Sequence, residues 1–306
     1  MSSRIVITGG GGQLGSALTA LTLDQGRDAL ALTSSQWDIT DPVDAERIIR
    51  NGDVVINCAA YTNVDGAESD EARAYAVNAA GPEHIARACA RVGARLIHVS
   101  TDYVFTGEPV TGEPGEGGPR PYEPSDETDP QGVYALSKLA GERAVLAALP
   151  EAVVVRTAWL YTGGSGKDFV AVMRRLAAGD GPVNVVDDQT GSPTYVADLA
   201  VALLQVADDP VPGPILHAAN EGEVSRFGQA RAVFEECGAD PERVRPVTTA
   251  QFPRPAPRPS YSALGGRQSA AAGLTPLRPW RAALVAALAA SPSDAAADRP
   301  LPSTRD

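Results

Sequence analysis

The sequence predicts an α/β fold: a doubly wound parallel sheet followed by a smaller mixed α/β lobe. Three observations carry that expectation. Short β-branched runs alternate with helix-like segments through the first half of the chain. Those runs are apolar almost without a break, as strands covered on both faces must be. A cluster of glycines stands where the first strand hands over to the first helix.

Taken in order, the strands are RIVIT (4–8), DALALT (28–33), DVVINC (53–58), RLIHVS (95–100) and AVVVRT (152–157). Between them QLGSALTALTL, DAERIIR and GPEHIARACARVG carry helical spacing. Beyond residue 158 the rhythm loosens. KDFVAVMRRLAAG, PVNVVDDQTGSPT, VADLAVALLQVA and VSRFGQARAVFEECG read as pieces of the smaller lobe, some of them returning to the main sheet. The stretch 107–130 is dense in Gly, Pro and acids and is long for a connector, which suits a lid over a site. The polar tail 291–306 has no periodicity and is expected to be disordered.

Bulk properties narrow the function classes. The 306-residue chain is 43% hydrophobic and 21% charged, ordinary for a soluble globular protein. Its formal net charge of -12 argues against a nucleic-acid surface. No apolar run reaches membrane-spanning length, so neither nucleic acid nor membrane is an expected partner. Cys58, Cys89 and Cys237 form no disulfide framework, which fits a reducing cytoplasm. His84, His98 and His217 are scattered without a ligand motif, and no metal is expected.

VITGGGGQLGSAL sets Gly9, Gly12 and Gly15 between a strand and a helix. Glycines there permit a tight turn and close backbone approach to a pyrophosphate, whose charge the helix N-terminus favours. This is a dinucleotide fingerprint, and the fold it implies is Rossmann-like. The expected division is 1–157 for the dinucleotide-binding domain, with segments of about 190–220 returning to it, and 158–290 mainly for a substrate lobe. At the tip of the second strand stand Thr33, Ser34 and Ser35 rather than a carboxylate, and the first acid is Asp38. That leans the cofactor toward NADPH, with NADH open.

YALSK places Tyr134 and Lys138 four apart, so on a helix they share a face. A nearby ammonium is expected to lower the phenol's pKa and make the tyrosine a general acid for a ketone reduced by hydride. Lys138 and Lys167 are the chain's only lysines, so this placement is unusual. In HVSTDYVF, Ser100 and Thr101 fall at the carboxyl edge of the fourth strand, as carbonyl-holding hydroxyls or as turn caps.

With GGGGQLGS, DITDP, CAAYTNVDGAE, VNAAGP, HVSTDYVFTGE, YALSKLAGE, RTAWLY and DDQTGSPTYVADLA in family order, the chain resembles the extended short-chain dehydrogenase/reductases. Within them it is similar to the dTDP-4-dehydrorhamnose reductases. The resemblance implies NAD(P)H-dependent reduction of the C4 ketone of dTDP-4-dehydro-L-rhamnose to dTDP-L-rhamnose. By motif, Tyr134 is then the proton donor, Lys138 its partner and Thr101 the carbonyl's hydrogen-bond partner. Gly9, Gly12, Gln13, Leu14 and Gly15 would line the pyrophosphate, with Asp38 and Ile39 near the adenine. Ala59, Ala60, Tyr61, Thr62 and Ser100 would line the cofactor cleft beside the catalytic pair. Val64, Asp65, Asp102, Tyr103 and Trp159 would surround the sugar, Trp159 as a hexose wall or a core aromatic. Arg258 would hold the substrate diphosphate, surface exposure being the alternative.

Three positions depart from the family pattern. Ala135 follows the tyrosine where glycine is common, and Gly66 stands where a lysine is frequent. Ala17 replaces a glutamate that bridges a metal-dependent dimer in some relatives, so a monomer or weak homodimer is expected. Two other activities fit the same motifs: a 4-ketoreductase for another dTDP-deoxysugar, and a non-catalytic NADP-binding regulatory subunit.

Overall fold

The computed structural model describes residues 3–111, 119–164, 166–209 and 211–290. The 291–306 tail and residues 112–118 of the 107–130 loop lie outside them.

All five apolar runs are strands: β1 (Ile5–Thr8), β2 (Ala29–Leu32), β3 (Val54–Asn57), β4 (Arg95–Thr101) and Val153–Thr157. With Ile215–His217 they make one six-stranded sheet, in the order Ile215–His217, Val153–Thr157, β4, β3, β1, β2. Every neighbouring pair is parallel. Because side chains alternate along a strand, Ile5, Ile7, Val54 and Ile56 enter one core while Val6, Val55 and Leu96 enter the other.

The first core is closed by α1 (Gln13–Asp24) and the helix Val196–Asp208, through Leu14, Leu18, Leu199 and Leu203. The second is closed by α2 (Pro42–Ile48) and the helices Gly81–Val92 and Val133–Ala148, through Ala45, Ile85, Cys89 and Val145. Two apolar faces explain strands without polar alternation. Local signals set the helix ends. Asp41 caps α2 by accepting from the Val43 amide, with Pro42 opening the helix. Gly93, at φ 73°, closes Gly81–Val92 in the left-handed conformation.

One contact fixes the helix that carries Tyr134 and Lys138. Arg156, on the fifth strand, meets Glu142 of Val133–Ala148 through two hydrogen bonds of 3.0 and 2.7 Å, and both residues are 2% exposed. The Arg156 guanidinium also lies 5.0 Å from the Phe105 ring. A bidentate pair of this kind sets rotation as well as distance.

The smaller lobe packs the helices Phe169–Ala177, Arg226–Glu236 and Trp280–Ala290 around a parallel strand pair, Val183–Val186 with Val244–Val247. Met173, Val185, Val233, Phe234 and Leu284 fill its centre. A further cluster joins Tyr122 of the 107–130 segment to Phe105, Leu139, Tyr261 and Leu264. Tyr122 stacks on Phe105 at 4.1 Å, its amide donates to the Ala263 carbonyl at 2.8 Å, and Arg120 pairs with Asp126 at 2.7 Å. The described part of the expected lid is thus fastened to the body at Tyr122, and again at Glu123, which accepts from the Gln268 amide at 2.9 Å.

Candidate active site

The glycines make a cradle with no room for side chains on its inner side. A Cβ on Gly9, at φ 63°, would stand 2.9 Å from the Ala59 amide nitrogen, and one on Gly15 would stand 2.2 Å from the Gly9 carbonyl oxygen. Gly11, Gly12 and Gln13 face outward, whereas Leu14 is buried and offers only its backbone. α1 starts on Gly12 with no capping side chain and no acid in its first turn, so its leading amides are open to an anion. These features fit a dinucleotide diphosphate. Gln13 also spans the lobes, donating to Asp168 at 3.0 Å.

The rest of the cleft is built from strand ends. Thr8 donates to Asn57 at 2.5 Å, and the Ala59 amide donates to both at 3.1 and 3.2 Å. Asn57 meets His98 at 2.9 Å, and burial holds that imidazole well below its ordinary pKa, so His98 is a neutral structural group. Tyr61 is fixed through its backbone: its amide donates to Asn78 at 2.8 Å, and Asn78 donates back to its carbonyl at 3.1 Å and to Ser137 at 3.0 Å. Ala60 is partly exposed beside Tyr61, and Thr62 is exposed. Asp38 turns onto its own loop, accepting from the Thr40 amide and hydroxyl at 3.0 and 2.7 Å. Ile39 is a core residue, 5% exposed and packed against Gly81, whose Cβ would meet it at 2.8 Å.

Tyr134 and Lys138 stand one turn apart on Val133–Ala148. Lys138 is buried and donates to the Val99 carbonyl at 2.8 Å, and burial pulls its pKa down to about 8 against the opposing pull of Glu142 and Cys58. Tyr134 departs from the expected lowering. Burial raises its phenol above the ordinary value, the hydrogen bond with Thr101 opposes this, and Asp102 and Tyr103 push further up. Removal from water outweighs the Thr101 hydrogen bond here, so the phenol rests in its protonated form.

Of the two roles open to Thr101, the structure shows the turn cap. Its hydroxyl accepts from the Tyr103 amide at 3.3 Å, capping the turn Asp102–Val104, and donates to Asp102 at 3.0 Å. Burial pushes the Asp102 carboxyl up to about 6, with the Ser262 and Thr101 hydroxyls opposing. The Tyr103 ring stands edge-on to Tyr134 at 5.6 Å. Ser100 is 4% exposed and its hydroxyl has no partner among the described residues, an orphaned group suited to a bound ligand.

On the opposite wall Asp65 pairs with Arg258 at 3.0 Å, one residue into the short helix Val64–Ala67. A Cβ on Gly66 would come within 2.4 Å of the Asn63 side chain, so the missing lysine coincides with a close turn. Trp159 sits at φ 49°, a left-handed conformation that a bulky residue adopts only under constraint. Its indole lies against Gly191, where a Cβ would reach 2.5 Å, and carries the Arg226 guanidinium 3.4 Å from its ring centroid. Sequence reasoning missed Arg226 and Asn78. VNAAGP flagged the neighbourhood of Asn78 but not its bonds, and nothing in the spacing marks Arg226.

Among the described residues, no three His, Cys, Asp or Glu side chains gather as a metal site, and no helix is long and apolar enough to cross a membrane. The family model of the RmlD substrate binding domain matches residues 3–292. A dTDP-4-dehydrorhamnose reductase of Mycobacterium tuberculosis is 77% identical over 305 residues, covering 100% of this chain and 99% of that protein. Among solved structures, a dTDP-4-dehydrorhamnose reductase from Clostridium acetobutylicum superposes with a TM-score of 0.86 at 36% identity, over 94% of this chain and 99% of the other. One from Bacillus anthracis, in complex with NADP, gives 0.84 at 35% identity, over 93% and 98%. From the cradle to the tyrosine helix and on through the smaller lobe, this chain belongs to the dTDP-4-dehydrorhamnose reductase family.

Proposed function

We propose that this chain reduces the C4 ketone of dTDP-4-dehydro-L-rhamnose to the alcohol of dTDP-L-rhamnose, with Tyr134 as the proton donor. The observation that carries the reading is a half-buried tyrosine on the helix Val133–Ala148, edge-on to Tyr103, one turn from a buried lysine that donates to the Val99 carbonyl, and accompanied by a glycine cradle. NADPH supplies the hydride to the ketone carbon. Gly9, Gly12, Gln13, Leu14 and Gly15 would hold its diphosphate, and Ser100, Tyr134 and Lys138 its nicotinamide half. Ala59, Ala60, Tyr61 and Thr62 would line the cleft, with Asp38 and Ile39 toward the adenine.

The proton work falls to this chain's own side chains. As the carbonyl π bond breaks, its electron pair moves to O4, and the Tyr134 hydroxyl gives that oxygen its proton. An alkoxide is a stronger base than a phenolate, so the transfer runs downhill even from a phenol of raised pKa. Lys138, charged at neutral pH, favours the phenolate left behind. Thr101 holds the same oxygen once its hydroxyl turns from Asp102. Val64, Asp65, Asp102, Tyr103 and Trp159 bound the sugar, and Arg258 faces its diphosphate.

Hydroxyls rather than a carboxylate at the β2 tip accept a 2′-phosphate, which favours NADPH over NADH. The reading includes a monomer or weak homodimer in the cytoplasm. The test is NADPH oxidation with enzymatically generated dTDP-4-dehydro-L-rhamnose, repeated with NADH. Rapid oxidation with dTDP-L-rhamnose as product is expected. NADPH binding without turnover on this sugar would move the reading to another ketosugar or to a regulatory subunit.

A further inference from the structure

Arg226 opens the helix Arg226–Glu236 and reaches across to the sugar wall. Its guanidinium stacks on Trp159 at 3.4 Å and lies 4.9 Å from the Phe169 ring. Its side chain donates to Gln229 at 3.3 Å, and no carboxylate among the described residues comes within ion-pair distance of it. The charges it faces are Asp102 and Tyr103, which favour its cation, and Arg258, which opposes it. Burial outweighs all of these and lowers its pKa to about 10.

A half-buried guanidinium stacked on two aromatic rings, with no carboxylate paired to it among the described residues, is a costly arrangement that an arriving anion completes. The two arginines are not equivalent. Arg258 already spends its charge on Asp65 at 3.0 Å, while Arg226 keeps its own. An arginine flat against an indole also has its planar fork oriented in advance, which suits bidentate contact with phosphate oxygens.

We infer that Arg226 holds the diphosphate of the nucleotide-sugar substrate, with Trp159 as its backing and Arg258 as the second, weaker arm. This rests on the reading of the substrate as a dTDP-sugar. The cofactor's own diphosphate belongs to the Gly9–Gly15 cradle, so the two anion sites lie on different lobes. The role also accounts for the strained backbone at Trp159, which sets the indole where Arg226 can lie on it.

The test compares dTDP with uncharged thymidine by calorimetric titration of the NADPH-loaded protein, as wild type, Arg226→Gln and Arg226→Met. The methionine keeps an unbranched stem over the indole and guards against loss of packing. Whichever variant binds NADPH as the wild type does is the one scored. Its dTDP affinity should fall roughly ten- to hundredfold, the scale of hydrogen bonds to a charged group. Thymidine affinity should stay unchanged. Undiminished dTDP affinity in that variant overturns the assignment of Arg226 alone. A wild type that binds dTDP no better than thymidine overturns the dTDP-sugar reading along with it.

Discussion

At Tyr134 burial and the Asp102 charge both favour the protonated phenol, and the Thr101 hydrogen bond pulls against them. Water exclusion holds the proton on the phenol, and the reaction needs that proton released only when O4 becomes an alkoxide. Tyr134→Phe removes the proton and leaves the packing. It should fold, bind NADPH as the wild type does and lose about 10²–10⁴-fold in kcat, the usual worth of a positioned acid. Stopped turnover with intact cofactor titration is the check. Lys138 sets the pH dependence. Its pKa is lowered from 10.5 to about 8, so the charge that favours the phenolate is present below that pH and lost above it. We expect kcat to be flat through neutral pH and to fall by about tenfold per unit well above pH 8. A profile flat to the ordinary lysine range would contradict this role.

Among the elements, the helix Val133–Ala148 is placed by two features beyond its own sequence pattern. A Cβ on Gly141 would stand 2.0 Å from the Asn78 carbonyl oxygen, so only glycine lets this helix seat against the π-helical turn Ala76–Ala80. Gly141→Ala should cost about 1–3 kcal/mol by overpacking, read from urea unfolding. It should also weaken NADPH binding, since Asn78 holds the Tyr61 backbone. Glu142→Gln breaks the buried pair with Arg156 and should cost about 3–5 kcal/mol in the same assay. The strands and the Tyr134–Lys138 pair were legible because their signals are local: a continuous apolar run and an i, i+4 spacing. Gly141 was not legible, because what excludes a side chain there is a backbone oxygen sixty-three residues earlier. The raised phenol pKa was missed for a related reason, since spacing shows the nearby lysine but not the loss of water around Tyr134.

Across the whole molecule, the site depends on chain segments that meet only in three dimensions. Gln13 of the cradle binds Asp168 of the smaller lobe, Asp65 binds Arg258, and Arg226 reaches Trp159. The family motifs in the first two hundred residues marked one half of the site. In the half supplied by the later chain the resemblance singled out Arg258, but composition cannot separate Arg226 from the other arginines. A cofactor held between the strand ends should stabilise the folded form as a unit. NADPH at a hundredfold excess over its Kd should add about 2.7 kcal/mol and raise Tm, and Gly15→Ala should abolish the gain. The central claim is that hydride reaches C4 while Tyr134 supplies the proton. The most direct measurement is turnover of dTDP-4-dehydro-L-rhamnose with NADPH deuterated at the transferred position, followed by magnetic resonance of the product. Deuterium on C4 of dTDP-L-rhamnose, formed by the wild type and lost with Tyr134→Phe, is the predicted result. Label at another carbon, or the same labelled product at wild-type rate from Tyr134→Phe, would contradict it.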